Sequence, residues 1–420
     1  MQVSVDVRDD AGAHGTRATL TGAVALFAVA GLAAALLLRT RTPGLALADL
    51  DPERYFPAAA LERADEFRRV TRGLWAGSVA VELAVLGVLV WKGRPLAARL
   101  GRAAHGRVRT GVVVGLVAVA ATWVATLPLG AVRHGWDRRY GLSRQGYDAW
   151  LGDRAIALGV RAVLVAVAVG GAVYLAARLG RRWWLAGAPA LVAIGAVYLI
   201  AQPLVVQPLF NRFEPLPDRA LAAGIERLAE RMGVEVETVQ VADASRRTTT
   251  ANAYVAGLGP TRRVVFYDTI LDGRFTDAEL VAVAAHELAH VERNHLWKGL
   301  AWFALFAVPG VAAVAFATER RGGLREPAVV PLGLLAALVF SLLTLPLQNA
   351  VSRRYEAEAD WVALTATRDP DAAIGLDRRL VLTSLGDPKP PAWAKIVLST
   401  HPTAMERIAM AEAFRARMGR

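Results

Sequence analysis

The stretch VAVAAHELAHVERNH, residues 281–295, holds three of the chain's seven histidines, with a glutamate directly after the first of them. Residues four apart on an α-helix share a face about one turn apart. His286 and His290 therefore aim ring nitrogens at one point, and Glu287 stands beside them. This H-E-x-x-H spacing supplies two ligands for a divalent ion and a carboxylate placed to take a proton from water. Only three positions are fixed, so the motif alone also arises by chance in unrelated chains. The helix start is marked as well, because Thr276 and Glu279 form a T-x-x-E capping box ahead of an apolar run. His295 lies nine residues after His286, about half a turn away on a continuous helix, and reads as an interfacial or supporting histidine. The extended three-histidine motif would need a glycine in place of Arg293 and a histidine in place of Leu296.

The surroundings of this helix are apolar. Of 420 residues, 55% are hydrophobic and 20% charged, and the mean hydropathy is +0.35. That balance exceeds the usual apolar share of a soluble globular protein. Seven segments approach the ~20 apolar residues that cross a hydrocarbon core: 18–38, 74–91, 111–131, 155–177, 184–206, 299–318 and 329–347. Trp75, Trp91, Trp184 and Trp302 lie near their ends, as an interfacial belt requires. The first segment is longer than a signal-peptide core and reads as an anchor. Cysteine is absent, which excludes disulfides and thiolate sites and leaves His, Asp and Glu to hold any metal. The net charge of +12 does not point to nucleic acid, because the basic residues flank apolar segments. Loops 39–73 and 132–154 are basic and so is 92–110 on the opposite face, so charge assigns no orientation.

Two polar segments remain, 207–298 and 348–420, and seven spans place them on the same side. The first leaves the membrane through QPLFNRFEPLPDRA, continues in an amphipathic helix near 218–232, and carries β-rich runs around VETVQVAD, NAYVAGLG and RRVVFYDTI. In the second, SRRYEAEADW (352–361) sets Glu356 and Asp360 one turn apart. One can complete a three-ligand catalytic site while the other holds a ligating histidine's remaining N–H. Glu358 points elsewhere on that helix. Alone, the stretch reads as a solvated acidic patch balanced by Arg353 and Arg354; on the same side as H-E-x-x-H, it reads as metal chemistry. The expected fold is an α-helical polytopic membrane protein of about seven transmembrane helices with a small α+β zincin-like catalytic domain. Its parts are a five-span region (1–206), the first part of the catalytic domain (207–298), spans six and seven (299–347), and the second part of that domain (348–420). Glu82 and Arg161 interrupt apolar runs and either face an interior chamber or snorkel to an interface.

These motifs resemble the type-1 CAAX prenyl protease family of integral-membrane zinc endopeptidases, in the form of a bacterial member. Beyond HELAH, the resemblance rests on SRRYEAEAD, on ANAYVAGLG (251–259) and on LSTHPTAMERI (398–408). The linkers RYFPAAALERADEFRRVTRGLW, RRYGLSRQGYDAWLGD and QPLFNRFEPL add to it, so that it covers residues 50 to 412. It implies Zn²⁺ held by His286, His290 and Glu356, Glu287 as general base and acid, and Asp360 as supporting carboxylate. It further implies His401 as a donor to the oxyanion and Arg407 close by, ordering substrate or site. The strand Asn252–Ala253–Tyr254 would be the edge to which an extended peptide substrate adds. Read without the family, His401-Pro402 is a helix-start turn and NAY merely a strand. Family members enclose a water-filled chamber within seven helices. The threonine run of ASRRTTTANAY departs from the family pattern and suggests altered specificity on the substrate side. A bacterial cell is not expected to offer prenylated CAAX proteins, so hydrophobic peptides or membrane proteins in the bilayer of a bacterial inner or plasma membrane are the expected substrates. Two other readings are a receptor or transport scaffold with a structural metal centre, and a quality-control protease of the related heat-shock type, which has fewer spans.

Overall fold

The computed structural model describes residues 29–419. Residues 29–41 lie in a separate N-terminal unit and are helical through residue 37. The predicted span 18–38 thus falls largely outside the described residues. Every element named below belongs to the unit that begins at Thr42.

Among the described residues, five helical stretches are long and apolar enough to cross a membrane: Ala58–Trp91, Arg107–Arg139, Tyr147–Phe210, His295–Glu319 and Pro327–Thr367. They take in the other six predicted segments. The first comprises α1 (Ala58–Trp91), followed by a short amphipathic helix α2 (Gly93–Ala104) and then α3 (Arg107–Arg139). The third breaks at Gly180, whose φ of +56° ends α4 (Tyr147–Leu179). The chain turns into α5 (Trp183–Ala201), which packs back on α4. Within the apolar region Arg161 Nη1 lies 3.7 Å from Glu82 Oε1, so these two charges pair with each other across α4 and α1.

The chain then forms a four-stranded sheet of order β1-β2-β4-β3, from β1 (Phe213–Pro215), β2 (Thr238–Ala242), β3 (Ala253–Ala256) and β4 (Arg263–Tyr267). β2 and β4 run parallel, and β3 is an antiparallel edge strand paired Ala253 to Phe266. Asn252 precedes β3, its carbonyl accepting from the Tyr267 N–H at 2.9 Å. Helix α6 (Arg219–Arg231) follows β1, with Asp218 accepting from two N–H groups of its first turn.

Helix α7 (Asp277–Glu292) begins at the capping box, with Thr276 Oγ1 accepting from Glu279 N and Glu279 Oε2 from Thr276 N. Leu280, Ala284 and Leu288, four apart, share a core with Ile225, Leu228 and Phe266. Each fully buried large side chain contributes roughly 1.5–3 kcal/mol. This leaves His286 and His290 on the roughly opposite face. Asn294 adopts the left-handed conformation (φ +56°), which asparagine tolerates. It ends α7, and a new helix, α8 (His295–Glu319), starts at once.

After α8 comes α9 (Val330–Thr367), 38 residues and about 57 Å long. Its first half is apolar. Glu356 lies nine residues beyond the apolar segment's end at 347, about 14 Å along the axis, so a single helix is long enough both to cross a bilayer and to carry a carboxylate beyond its apolar half. Helices α10 (Pro370–Ser384), α11 (Ala392–Leu398) and α12 (Ala404–Met418) complete the chain. A Cβ on Gly375 of α10 would collide with Glu279 Oε1, so glycine is what lets α10 close on the start of α7. Asn349 donates to the carbonyls of Ile396 and Val397, and Arg353 to those of Lys395 and Ser399, which ties the turn before His401 to α9.

One sequence expectation is extended here and one changes. The threonine run, a departure near the substrate strand, also fastens the chain: Thr248 Oγ1 and Thr249 N bond the Leu142 carbonyl, and Thr249 Oγ1 that of Gly141. Trp302 is buried, not interfacial, and donates to Tyr355 Oη at 2.8 Å.

Candidate active site

The one-turn spacing of α7 and the exit of α9 bring His286, His290 and Glu356 together. His286 Nε2 lies 3.1 Å from His290 Nε2 and 3.2 Å from Glu356 Oε2, and His290 Nε2 lies 3.6 Å from Glu356 Oε1. Tetrahedral zinc with ligands near 2.0–2.1 Å separates its ligand atoms by about 3.3 Å. Glu356 Oε2 is buried between two imidazoles, 3.2 Å from His286 Nε2 and from His401 Nε2. Two imidazole nitrogens and a carboxylate oxygen converging at these separations suit a divalent ion, and among the described residues these three are the group able to hold one.

Each histidine is backed by a carboxylate. His286 Nδ1 lies 2.8 Å from Asp360 Oδ1. Burial works against a charged His286, but Asp360 and Glu356 outweigh it and hold its pKa up at about 10. A metal would displace the proton that faces Glu356. Asp360 is gripped by Arg407 at 2.7 and 3.0 Å, and Arg407 Nη1 reaches Asp377 Oδ1 at 3.0 Å. Burial disfavours the Arg407 charge, but the two carboxylates overcome it and raise its pKa. Arg407 therefore touches the carboxylate that backs His286. Asp360→Asn is expected to weaken zinc binding by about 10- to 100-fold, as loss of such supporting carboxylates does, measured by competition with a chromophoric chelator.

His290 has a longer support. Its Nδ1 lies 2.9 Å from His295 Nδ1, and His295 Nε2 lies 3.0 Å from Glu358 Oε2. Glu358 is fully buried and also takes Arg293 at 2.8 Å. The break at Asn294 is what folds His295 back under His290, while Tyr355 stacks on the His295 ring. Sequence alone gives Asp377, Glu358 and Arg293 no part in the site. Each acts through a partner tens of residues away, and nothing in local spacing signals it.

Glu287 faces a cavity of about 890 Å³ lined at this end by His290, Glu356 and Val255. Burial pushes its carboxyl above the usual carboxylate range, opposed by the two imidazoles and by a backbone hydrogen bond from Val255 on the edge strand. The cavity continues between α4, α5, α8 and α9, lined by Val173, Leu191, Phe303 and Phe340. Its walls are largely apolar, and neither Glu82 nor Arg161 lines it. His401 Nε2 lies 3.2 Å from Glu356 Oε2, and its side chain is 58% exposed, open to a bound molecule. Ala253 and Tyr254 lie on the edge strand, with Asn252 just before it.

This geometry has parallels. Residues 59–212 match the family profile described as "CAAX prenyl protease N-terminal, five membrane helices". The chain is 29% identical over 374 residues to the Bacillus subtilis metalloprotease YhfN, covering 86% of this chain and 88% of that protein. It is 32% identical over 192 residues to CAAX prenyl protease 1 of Saccharomyces cerevisiae, 44% of this chain and 40% of that protein. The chain thus spans less than half the length of that yeast relative. The crystal structure of S. mikatae Ste24p superposes with a TM-score of 0.72 over 92% of this chain and 96% of that one, at 20% identity, which shows a shared fold. The profile "Peptidase family M48" takes in residues 215–415, abutting the membrane-helix profile and including every residue of the metal cluster, and over these two parts the chain is similar to the M48 metallopeptidases of the CAAX prenyl protease type.

Proposed function

We propose that this membrane metalloprotease hydrolyses peptide bonds in hydrophobic or membrane-associated peptides and proteins just outside the bilayer, with Zn²⁺ held by His286, His290 and Glu356. The observation that carries the reading is the position of Glu287, His290 and Glu356 at one end of the apolar cavity that runs down between membrane helices. An apolar segment beside the scissile bond suits those walls. When bound, zinc polarises the scissile carbonyl and acidifies water. Glu287 takes the water's proton and passes it to the leaving amine. His401 donates to the oxygen that becomes negative. The β3 edge aligns an extended peptide through backbone bonds. Asp360 and Arg407 hold His286 in place. The names of the CAAX prenyl protease relatives support a substrate cut near an apolar anchor.

The same reading takes segments 207–298 and 348–420 as one small α+β catalytic domain, residues 1–206 and 299–347 as seven membrane helices, and the cell membrane as the location. A structural metal on a receptor or transport scaffold would call for a fourth protein ligand closing the site. Among the described residues three converge, beside an open cavity and a base.

Removal of metal is the test. Dialysis against a strong chelator is expected to abolish cleavage of an unstructured apolar peptide by the purified protein, and added zinc to restore it. Cleavage that survives complete zinc removal would sink the proposal.

A further inference from the structure

The end of the membrane region remote from the metal is basic on one side only. It is built from the connections α1–α3, α4–α5 and α8–α9. Residues 92–109, 178–182 and 319–326 carry 12 Lys and Arg against two Glu, and all 12 cations are exposed. Both glutamates already face arginines, Arg181 to Glu319 at 2.5 Å and Arg107 to Glu326 at 4.0 Å. At the metal end, the loops 42–73 and 132–154 are only weakly basic when their acids are counted too, with 10 Lys and Arg against nine Asp and Glu. The bilayer helices thus join a nearly neutral end to a strongly cationic one.

The cations stand on a rigid platform. Leu96, Ala97 and Leu100 of α2 pack into the core of the helix bundle, while Arg94, Arg99 and Arg102 point outward and are exposed. A Cβ on Gly93 would collide with the Ala328 carbonyl oxygen, so glycine lets α2 press against the turn before α9. Trp91, 75% exposed, ends α1 with the Lys92 ammonium 3.8 Å over its ring. This tryptophan and the ends of the apolar segments put the platform at headgroup depth.

We propose that this face binds the phosphate groups of anionic phospholipids in the leaflet remote from the metal. Exposed arginines in a plane at the ends of membrane helices match a two-dimensional array of phosphates, with the guanidinium fork suited to each. The role is independent of the catalytic reading, since no residue of the metal site takes part.

The full-length protein purified from membranes is equilibrated with equal phosphatidylglycerol and phosphatidylcholine, and retained lipid is weighed by native mass spectrometry. Wild type is expected to retain phosphatidylglycerol at least about fivefold over phosphatidylcholine, falling as salt rises. Replacing Arg94, Arg99, Arg102, Arg320 and Arg321 by glutamine is expected to bring the ratio to about 1. Lysine at the same positions is expected to keep most of it, and Arg63→Gln with Arg144→Gln at the metal end to leave it unchanged. Unchanged thermal unfolding of the five-glutamine variant separates lost headgroup binding from lost fold. No lipid preference in wild type, or a preference kept by that well-folded variant, overturns the proposal. So does displacement of the lipid by a nucleic-acid oligomer at equal charge, which would assign the face to a soluble polyanion.

Discussion

Glu287→Gln is expected to keep the zinc content of the wild type and to cleave an apolar peptide roughly 10²- to 10⁴-fold more slowly, the span that a general acid–base group contributes. The separation of the two effects comes from where the side chain stands. Glu287 lies on the same helix as both histidine ligands but outside the trio whose atoms converge, and it faces the cavity. The amide of glutamine has the same shape. It has no basic oxygen to take a proton. Burial raises the Glu287 carboxyl pKa, which makes the carboxylate a stronger base. Zinc by elemental analysis and turnover by peptide mass spectrometry decide the matter. A variant within tenfold of wild-type turnover would remove Glu287 from the chemistry, and a variant without zinc would make it a metal residue.

Much of this site is legible in the sequence because its strongest signals are local. The histidine pair and the capping box of α7 are periodicities within a single helix, and the one-turn spacing of Glu356 and Asp360 is another. Six apolar segments can be placed because length and composition suffice to recognise a helix that crosses a bilayer. What escapes is set by chain reversals and by partners remote in sequence. A continuous helix would carry His295 half a turn away from His286, yet the left-handed Asn294 starts a new helix and turns that ring onto His290. The motif containing Arg407 groups it with the catalytic side chains, but α12 presents it to Asp360 and Asp377 instead. Asp377 sits in α10 among ordinary polar residues and becomes special only when α12 brings Arg407 to it. The threonine run reads as a departure near the substrate strand. The Thr248 and Thr249 hydroxyls are spent on the carbonyls of the α3–α4 connection, a contact spanning about a hundred residues that no local pattern announces.

Glu356→Ala and Glu358→Ala, two positions apart on α9, are expected to fail in opposite ways. Glu356 turns its oxygens to the rings of His286, His290 and His401, so its contacts lie in the site itself. Its loss leaves two protein ligands for zinc where a catalytic site needs three. The expected result is a folded, soluble-in-detergent protein with no retained zinc and no measurable cleavage. Glu358 rotates away from the metal, since a two-residue step turns about 200° around the helix. It is fully buried, with Arg293, His295 and Lys298 gathered on it. Removing that carboxylate strands buried cationic and polar groups, a loss of about 3–5 kcal/mol when a buried pair is broken. Glu358→Ala is therefore expected to unfold at markedly lower temperature, while the fraction that stays folded still binds zinc through an intact trio, less tightly because His290 has lost its support. Thermal unfolding read beside zinc content separates the two. Zinc retained in full by Glu356→Ala but lost from folded Glu358→Ala would reverse the ligand assignment, and with it the direction in which α9 faces the metal.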